Sequence, residues 1–589
     1  MPPVVLAIFA ALVFGLALTW PRVLAVWQTG AFFDSDDALR MVQVRDLMTG
    51  QDWFDLTVHR MDPPDGLLIH WSRIVDVPLV ALIRAFRLFA TPETAERLAR
   101  LIFPLALQGG LYAGLAWCGR LLIGTRGRVL AIALGFLSGG MFGQFQPGRI
   151  DHHAPQIVLL VFIIAAGLAA LDRERARRAA LAGLLTALSL AISIENLPFF
   201  VVLYAAIAIA FIVYGDAVRA MLLWLAGGLA AGLLVFFTAT IPPSRYLAGG
   251  CDAFSAAHVV GGFTGAAALT ILALGLPFWR TLGTRAIAVS TAGMVTLATL
   301  AVTYPACFHD PLAGVDPFVR EVWLSQVREA MPLMRIVETR PELLPIIVLP
   351  VILGFLAALA AIWRTSGIAR TRWIIIAALL GVGLLTAFWQ IRVFSSAAPL
   401  AALPAAYVVL ALRERLARDG ATMKRGLITA GLCLPFSSMT YALAVPYNDP
   451  SIAGTLACLS PTALAPLATL PPALVLAPID SGSHILSNTP HSVVAAPYHR
   501  NSAGNRRALD AFLASPEDAE KIVRKSGANY VMLCAEMHQV EVLKARAPRG
   551  LLALLADGGH PDWLQPVPLT GTPYRAFTLR APSSAPHKE

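Results

Sequence analysis

The sequence predicts a polytopic α-helical membrane protein of about 13 transmembrane helices with a small carboxy-terminal α/β domain outside the bilayer. Three observations carry that reading. Of the 589 residues, 57% are hydrophobic, and the mean hydropathy is +0.67. Only 14% are charged, against roughly 25% in soluble proteins, which is too little to cover a soluble surface of this size. The stretch from about residue 447 onward returns to soluble composition. A soluble globular enzyme, a disordered chain and a coiled coil are thereby excluded.

A bilayer core about 30 Å thick takes about 20 apolar residues per helix. Apolar runs lie at 4–27, 98–119, 129–147, 155–172, 179–194, 196–214, 218–240, 258–278, 286–305, 343–363, 373–391, 394–412 and 426–446. The odd count puts the termini on opposite sides. The net charge of +10 is mostly arginine in short clusters between the runs. Arg120, Arg126 and Arg128 share one loop; Arg173, Arg175, Arg177 and Arg178 another; Arg280 and Arg285, with Arg219, fall in further alternate loops. Arg364, Arg370 and Arg372, then Arg413, Arg415, Arg418, Lys424 and Arg425, complete the set. The positive-inside rule makes these loops and the amino terminus cytoplasmic and the carboxy-terminal domain extracytoplasmic. Arg22, near the outer end of the first run, is the one local exception. Clusters of this kind mark topology, so no nucleic-acid partner is expected. Met1, Pro2, Pro3 and Val4 lack a basic n-region, so the first run is expected to be retained as a span.

The division expected is therefore 1–446 in the membrane and 447–589 outside, with long external loops at 28–97 and 306–342. In the first loop, Val75–Phe89 is apolar but carries Arg84 and Arg87 and reads as an interfacial helix. In the tail, Ala473–Ile479, His491–Ala496, Tyr530–Cys534 and Ala576–Arg580 read as strands. Arg506–Ala514 and Pro516–Ser526 read as helices, the second with Ser515 as N-cap and Pro516 at its first position. Among the six cysteines no CxxC or zinc spacing occurs. Cys251 and Cys307 both lie near external loops and could pair.

Four polar features fall on the external face. Asp34-Ser35-Asp36-Asp37 is either a helix start with Asp34 as N-cap or a divalent-cation site. Gly148 to His153, at a tight turn, offers Asp151 and His153 two residues apart, a mixed oxygen and nitrogen pair that tilts the metal towards Mn²⁺ over Mg²⁺. Glu329, in the second loop, reads by itself as the solvated face of a short helix. Arg392 is either an arginine snorkelling from a helix end or a guanidinium placed to grip a phosphate. A transporter would more naturally put its polar residues at the bilayer midplane. Acids, a metal pair and an arginine at one surface suit chemistry on a lipid phosphate.

At these residues the sequence resembles the catalytic subunit of oligosaccharyltransferase, a GT-C glycosyltransferase. Phe33-Asp34 followed by Arg40 looks like the family's first acidic motif, and Gly148–His153 like the second, in its archaeal Asp-His-His form. Gln326-Val327-Arg328-Glu329 with Pro332 resembles the Ser-Val-Ser-Glu motif. Arg392 with Pro399 resembles the arginine that holds the donor's pyrophosphate. Asp480-Ser481-Gly482 stands in the place of the Trp-Trp-Asp-Tyr-Gly motif, which reads the sequon hydroxyl in that family, but both tryptophans and the tyrosine are gone.

The resemblance implies a GT-C fold and an inverting transfer of a sugar from a polyprenyl phosphate or diphosphate carrier. It assigns Asp34, Asp151, His153 and Glu329 to Mn²⁺ or Mg²⁺. Asp34 or Glu329 would orient the acceptor, Arg392 would bind the donor phosphate, and Asp480 and Gly482 would contact the acceptor. It places the enzyme in the inner (plasma) membrane among lipids. The altered last motif leaves protein, lipid or surface polysaccharide as acceptor; a flippase of the lipid-linked sugar is the alternative of another class. Glu195 reads as an ordinary helix-end residue. Tyr498-His499-Arg500-Asn501 reads as a surface loop, and His309, Asp310 and Asp316 as solvated.

Overall fold

A computed structural model describes residues 2–139, 143–310, 312–416, 422–445 and 450–581. Arg418 and the expected 446/447 boundary lie outside the described residues. Among them, eight helices are long and apolar enough to cross a membrane, and this is a multi-pass membrane protein. They are Pro92–Leu122, His153–Ala170, Leu197–Tyr214, Asp216–Thr240, Ala256–Leu274, Leu282–Thr303, Gly367–Thr386 and Ile391–Leu416.

The other five apolar runs are broken or short. Pro3–Leu18 turns by 68° into Trp20–Thr29, Pro341–Ile347 by 41° into Leu349–Trp363, and Thr422–Phe436 by 76° into Ser438–Ala444. Pro21, Pro350 and Pro435 sit at or beside these breaks, where a missing N–H and a ring clash interrupt the helical ladder. Gly127–Leu137 and Arg178–Ile192 have only 11 and 15 residues. Val75–Phe89 forms the helix Asp76–Phe86, whose 11 residues are too few to cross. It buries Leu79 and Ile83 and leaves Val77, Leu88 and Phe89 exposed.

Arg22, the local exception to the charge rule, is a structural bracket. Its Nε donates to Pro147 O at 3.3 Å, another guanidinium N–H goes to Phe32 O, and the group lies 5.3 Å from the Phe33 ring. The first loop is organised around a second arginine pair. Asp76 is fully buried and accepts from Arg40 Nη1 at 2.9 Å and Arg73 Nη1 at 3.2 Å. Arg73 also donates to Gln43 O, Gln51 Oε1 and Asp55 O, and Arg40 lies 4.7 Å from the Trp71 ring.

The tail carries a five-stranded sheet in the order Ser492–Val493, Leu474–Leu476, Tyr530–Cys534, Tyr574–Leu579, Leu564–Val567. The first three strands are parallel, Tyr574–Leu579 runs antiparallel to them, and Leu564–Val567 pairs antiparallel with Tyr574–Leu579. Tyr530–Cys534 is buried at all five positions, as expected of a strand covered on both faces. Helices Ser502–Leu513 and Pro516–Lys525 flank the sheet, and Ser515 caps the second by accepting from Asp518 N. Strand Leu564–Val567 and helices Gly482–Asn488, His538–Arg546 and Leu551–Ala556 add to the expected elements.

The apolar core around this sheet also contains Val58, Met61 and Trp71 of the first loop and Val319, Val322 and Trp323 of the second. Two disulfides stitch the same region. Cys251 joins Cys307, as the sequence allowed, and Cys458 joins Cys534, which spacing did not reveal. Cys118 and Cys433 are free and buried.

Alkylation of the unreduced, denatured full chain is expected to label Cys118 and Cys433 only, and all six cysteines after reduction, as read by peptide mass spectrometry. Asp76→Ala leaves two buried guanidinium groups uncompensated and should cost about 3–5 kcal/mol of stability, seen as a lowered thermal transition in detergent.

Candidate metal and phosphate site

Asp34 has extended backbone and caps helix Ser35–Met48, accepting from Asp36 N and Asp37 N, while Asp37 accepts from Asp34 N in a reciprocal capping box. The turn that carries Asp151 starts at Gly148, whose φ of +93° is left-handed and whose added Cβ would meet Val26 at 3.1 Å. Asp37 Oδ1 accepts from Ile150 N at 2.5 Å and from Asp151 N at 3.1 Å. In return the buried Arg149 donates to Asp34 Oδ2, and its other nitrogen donates to Gln144 Oε1 at 2.8 Å. Two acidic segments more than a hundred residues apart are locked together by this exchange.

The exchange leaves Asp36, Asp151 and His153 around one point, with one ligand atom from each within 4.8 Å of the others. Glu329 comes from the second loop; its Oε2 is 3.8 Å from His153 Nε2 and its Oε1 is 3.5 Å from Arg392 Nη2. That loop is held in place by backbone bonds from Leu333 N to Ala387 O and from Ile391 N to Met331 O, each 2.9 Å. Asp151 Oδ2 and His153 Nε2 are buried without a hydrogen-bond partner, although Arg149 Nη2 lies 2.6 Å from Asp151 Oδ2 out of line for a bond. Burial and then the carboxylates of Asp34, Glu329 and Asp151 push the Asp36 carboxyl well above the usual carboxylate range. Facing carboxylates, an imidazole nitrogen and two unsatisfied acceptors match a Mn²⁺ or Mg²⁺ donor set.

A second group within 4.8 Å is Asp34, Asp37 and Asp151, in which Asp34 accepts from Arg149 and Asp37 from two backbone N–H groups. The sequence expectation singled out Asp34 from its motif. In the structure Asp34 is the helix cap and belongs to this second group with Asp151, while Asp36 belongs to the first.

Glu195, expected to be an ordinary helix-end residue, is central. It accepts from His153 Nδ1 at 2.9 Å and Arg392 Nη1 at 3.0 Å. Tyr498 to Asn501, expected as a surface loop, docks on the site instead. Tyr498 is buried and its hydroxyl donates to Ser35 O at 3.0 Å. Arg500 forks onto Asp252 at 2.8 and 2.9 Å, and His499 reaches the same carboxylate at 3.1 Å. Burial alone would raise the Asp252 carboxyl, but these partners hold it well below the usual range. Asp316, expected as solvated, caps helix Pro317–Val322 and pairs with Arg506 at 3.2 Å.

A cavity of about 720 Å³ opens beside these groups and is lined by Asp34, Asp36, His153, Glu329 and Arg392, and also by Trp323, Asp480 and Gln539.

No protein-family model matches the sequence, and no curated protein matches it. Solved structures do. The archaeal oligosaccharyltransferase of Archaeoglobus fulgidus, in complex with an inhibitory peptide and a dolichol-phosphate, matches at TM-score 0.67 and 15% identity, over 99% of this chain and 75% of its own. The chain has the GT-C fold. The zinc and sulfate complex of the Archaeoglobus fulgidus enzyme matches at TM-score 0.65 and 15% identity, over 95% of this chain and 71% of that one. A form tethered to an acceptor peptide containing the NVT sequon gives 0.66 at 15%, over 98% and 74%.

Within this GT-C fold Asp480 of the altered motif lines the same cavity. Asp480 Oδ1 accepts from Trp323 Nε1 at 3.1 Å, so an indole from the second loop stands against the aspartate. The Asp480 N–H donates to Gln539 Oε1 at 3.0 Å. Burial raises the Asp480 carboxyl, and the indole works against that. Gly482, expected to contact the acceptor, does not line the cavity. It packs under the chain, where a Cβ would lie 2.1 Å from Ala495 O.

Gly482→Ala should therefore cost about 1–3 kcal/mol by overpacking, read as a lower thermal transition. Unchanged stability with weakened acceptor affinity would reverse this assignment.

Proposed function

We propose that this chain is a metal-dependent, inverting glycosyltransferase. It moves a sugar or oligosaccharide from a polyprenyl phosphate or diphosphate carrier to an acceptor at the outer face of the plasma membrane. The observation that carries this reading is the convergence of Asp36, His153, Glu329 and Arg392 on a single cavity of about 720 Å³, with Asp151 grouped within 4.8 Å of Asp36 and His153. The solved Archaeoglobus fulgidus oligosaccharyltransferase bound to dolichol-phosphate supports a lipid-linked donor. Two disulfides at the sheet-domain end support an oxidising compartment there, and hence a cytoplasmic amino terminus and an extracytoplasmic domain.

Asp36, Asp151, His153 and Glu329 would hold Mn²⁺ or Mg²⁺, which supplies Lewis-acid neutralisation of charge developing on the leaving phosphate. Arg392 adds a fixed guanidinium whose buried Nε has no hydrogen-bond partner and is free for a phosphate oxygen. Glu329 lines the cavity with 40% of its side chain exposed, which suits a carboxylate that orients the acceptor nucleophile. Asp34 lines the same cavity, holds Arg149 and shares a second group of ligand atoms with Asp37 and Asp151.

The acceptor end lacks the sequon-reading tryptophan pair, and Asp480 is engaged by Trp323. Transfer to a lipid or surface polysaccharide is thereby favoured as a second reading beside protein glycosylation.

The test uses the full chain in nanodiscs with a lipid-linked sugar extract, with Mn²⁺ or EDTA, scoring label in peptide, lipid and polymer. Asp36→Ala, Asp151→Ala and Glu329→Ala should each lose about 10²-fold or more in transfer, and EDTA should abolish it. Near-normal transfer by all three, or carrier translocation without a glycosidic bond, would overturn the proposal.

A further inference from the structure

Glu195 lies on the short turn between Arg178–Ile192 and Leu197–Tyr214, and its place is fixed from below. Asn196 is fully buried and donates to Gln156 O at 2.9 Å and Gln156 Oε1 at 2.7 Å. Gln156 Nε2 donates to Ser189 O at 2.7 Å and Ser193 O at 3.2 Å. Ser396 Oγ donates to Asn196 Oδ1 at 3.2 Å. Gln156 stands about one helical turn from His153, and Ser396 stands about one turn from Arg392. The turn is thus bolted to both helices whose ends enter the site.

From that position the two carboxylate oxygens serve different partners. Oε2 is 2.9 Å from His153 Nδ1, while Oε1 is 3.0 Å from Arg392 Nη1 and 3.5 Å from His152 Nε2. A proton on His153 Nδ1 donated to Glu195 puts the imidazole lone pair on Nε2. That nitrogen faces Asp151 Oδ2 at 3.9 Å and Glu329 Oε2 at 3.8 Å and has no hydrogen-bond partner. Carboxylate, imidazole and open nitrogen in line form the arrangement by which an outer carboxylate orients a histidine ligand and raises its basicity.

We propose that Glu195 is a positioning residue. It holds His153 in the form that presents Nε2 to the cation and fixes the Arg392 guanidinium beside it, so that one carboxylate sets the spacing between ion site and phosphate clamp. This rests on the metal reading above. Without Glu195, His153 can adopt the other tautomer or turn away, and among the described residues Arg392 keeps as ion pair its 3.5 Å contact with Glu329.

The test measures Mn²⁺ binding directly, by electron paramagnetic resonance of free Mn²⁺ with the full chain in nanodiscs. Glu195→Ala should weaken Mn²⁺ binding by about 10–100-fold. Its thermal transition in EDTA should stay unchanged, and transfer should recover substantially at saturating Mn²⁺. Glu195→Gln keeps an oxygen that can accept from His153 Nδ1–H and should fall between Glu195→Ala and wild type. It also serves as the readout if Glu195→Ala does not fold. Asp151→Ala separates the two readings. If it abolishes Mn²⁺ binding while both Glu195 variants bind as wild type does, the positioning role is overturned and the metal site stands. If Asp151→Ala binds Mn²⁺ normally, the metal reading itself has failed.

Discussion

The geometry of the site depends on the exchange between Asp37 and Arg149. Asp37 gives one oxygen to two consecutive backbone N–H groups of the turn, and Arg149 returns its guanidinium to the cap residue Asp34. Asp37 and Arg149 are both buried, where a charge is tolerated only when hydrogen-bonded and paired. Burial and the nearby Asp34 push the Asp37 carboxyl well above the usual range, opposed by Arg149 and the Ile150 N–H. Each partner therefore requires the other. Remove either segment and the remaining one is left with an uncompensated buried charge.

That lock sets the register of everything around it. Because Asp34 is the cap, Asp36 lies two residues into the helix and is turned to the Asp151 and His153 side, not to Arg149. Ile391 N bonding to Met331 O then brings Glu329 of the second loop and Arg392 of the helix end into the same space. The acids that meet there repel one another in a buried setting, and a bound cation would invert that local balance.

Much of this was legible in the sequence, and the reasons for the rest are physical. Apolar runs located a helix at each of the thirteen places, but mean hydropathy does not register where Pro21, Pro350 or Pro435 breaks a run. Ser515-Pro516 and Asp34 signalled their helix starts because capping is local chemistry. That Asp36 joins Asp151 and His153 in one group, while Arg149 holds Asp34 across 115 residues, was beyond a motif. Glu195 gave no signal for the same reason: next to Asn196 it is an ordinary polar pair, and its partners come from two other helices. The Cys458–Cys534 bridge and the burial of Tyr498 likewise follow from how the sheet domain packs, not from spacing.

The sheet domain is a wall of the cavity and not an appendage. Its core takes in Trp71 and Trp323 from the two long loops, and its Tyr498 and Arg500 reach Ser35 and Asp252. Asp252 adjoins Cys251, which is bonded to Cys307 at the head of the loop that carries Glu329. A movement of Glu329 away from His153 therefore has to be taken up between Cys307 and Leu333, because both ends are fastened. Trp323 lies inside that interval, with its indole on Asp480. Trp323, bonded to Asp480, and Glu329, beside His153 and Arg392, thus share one loop that is fastened at both ends.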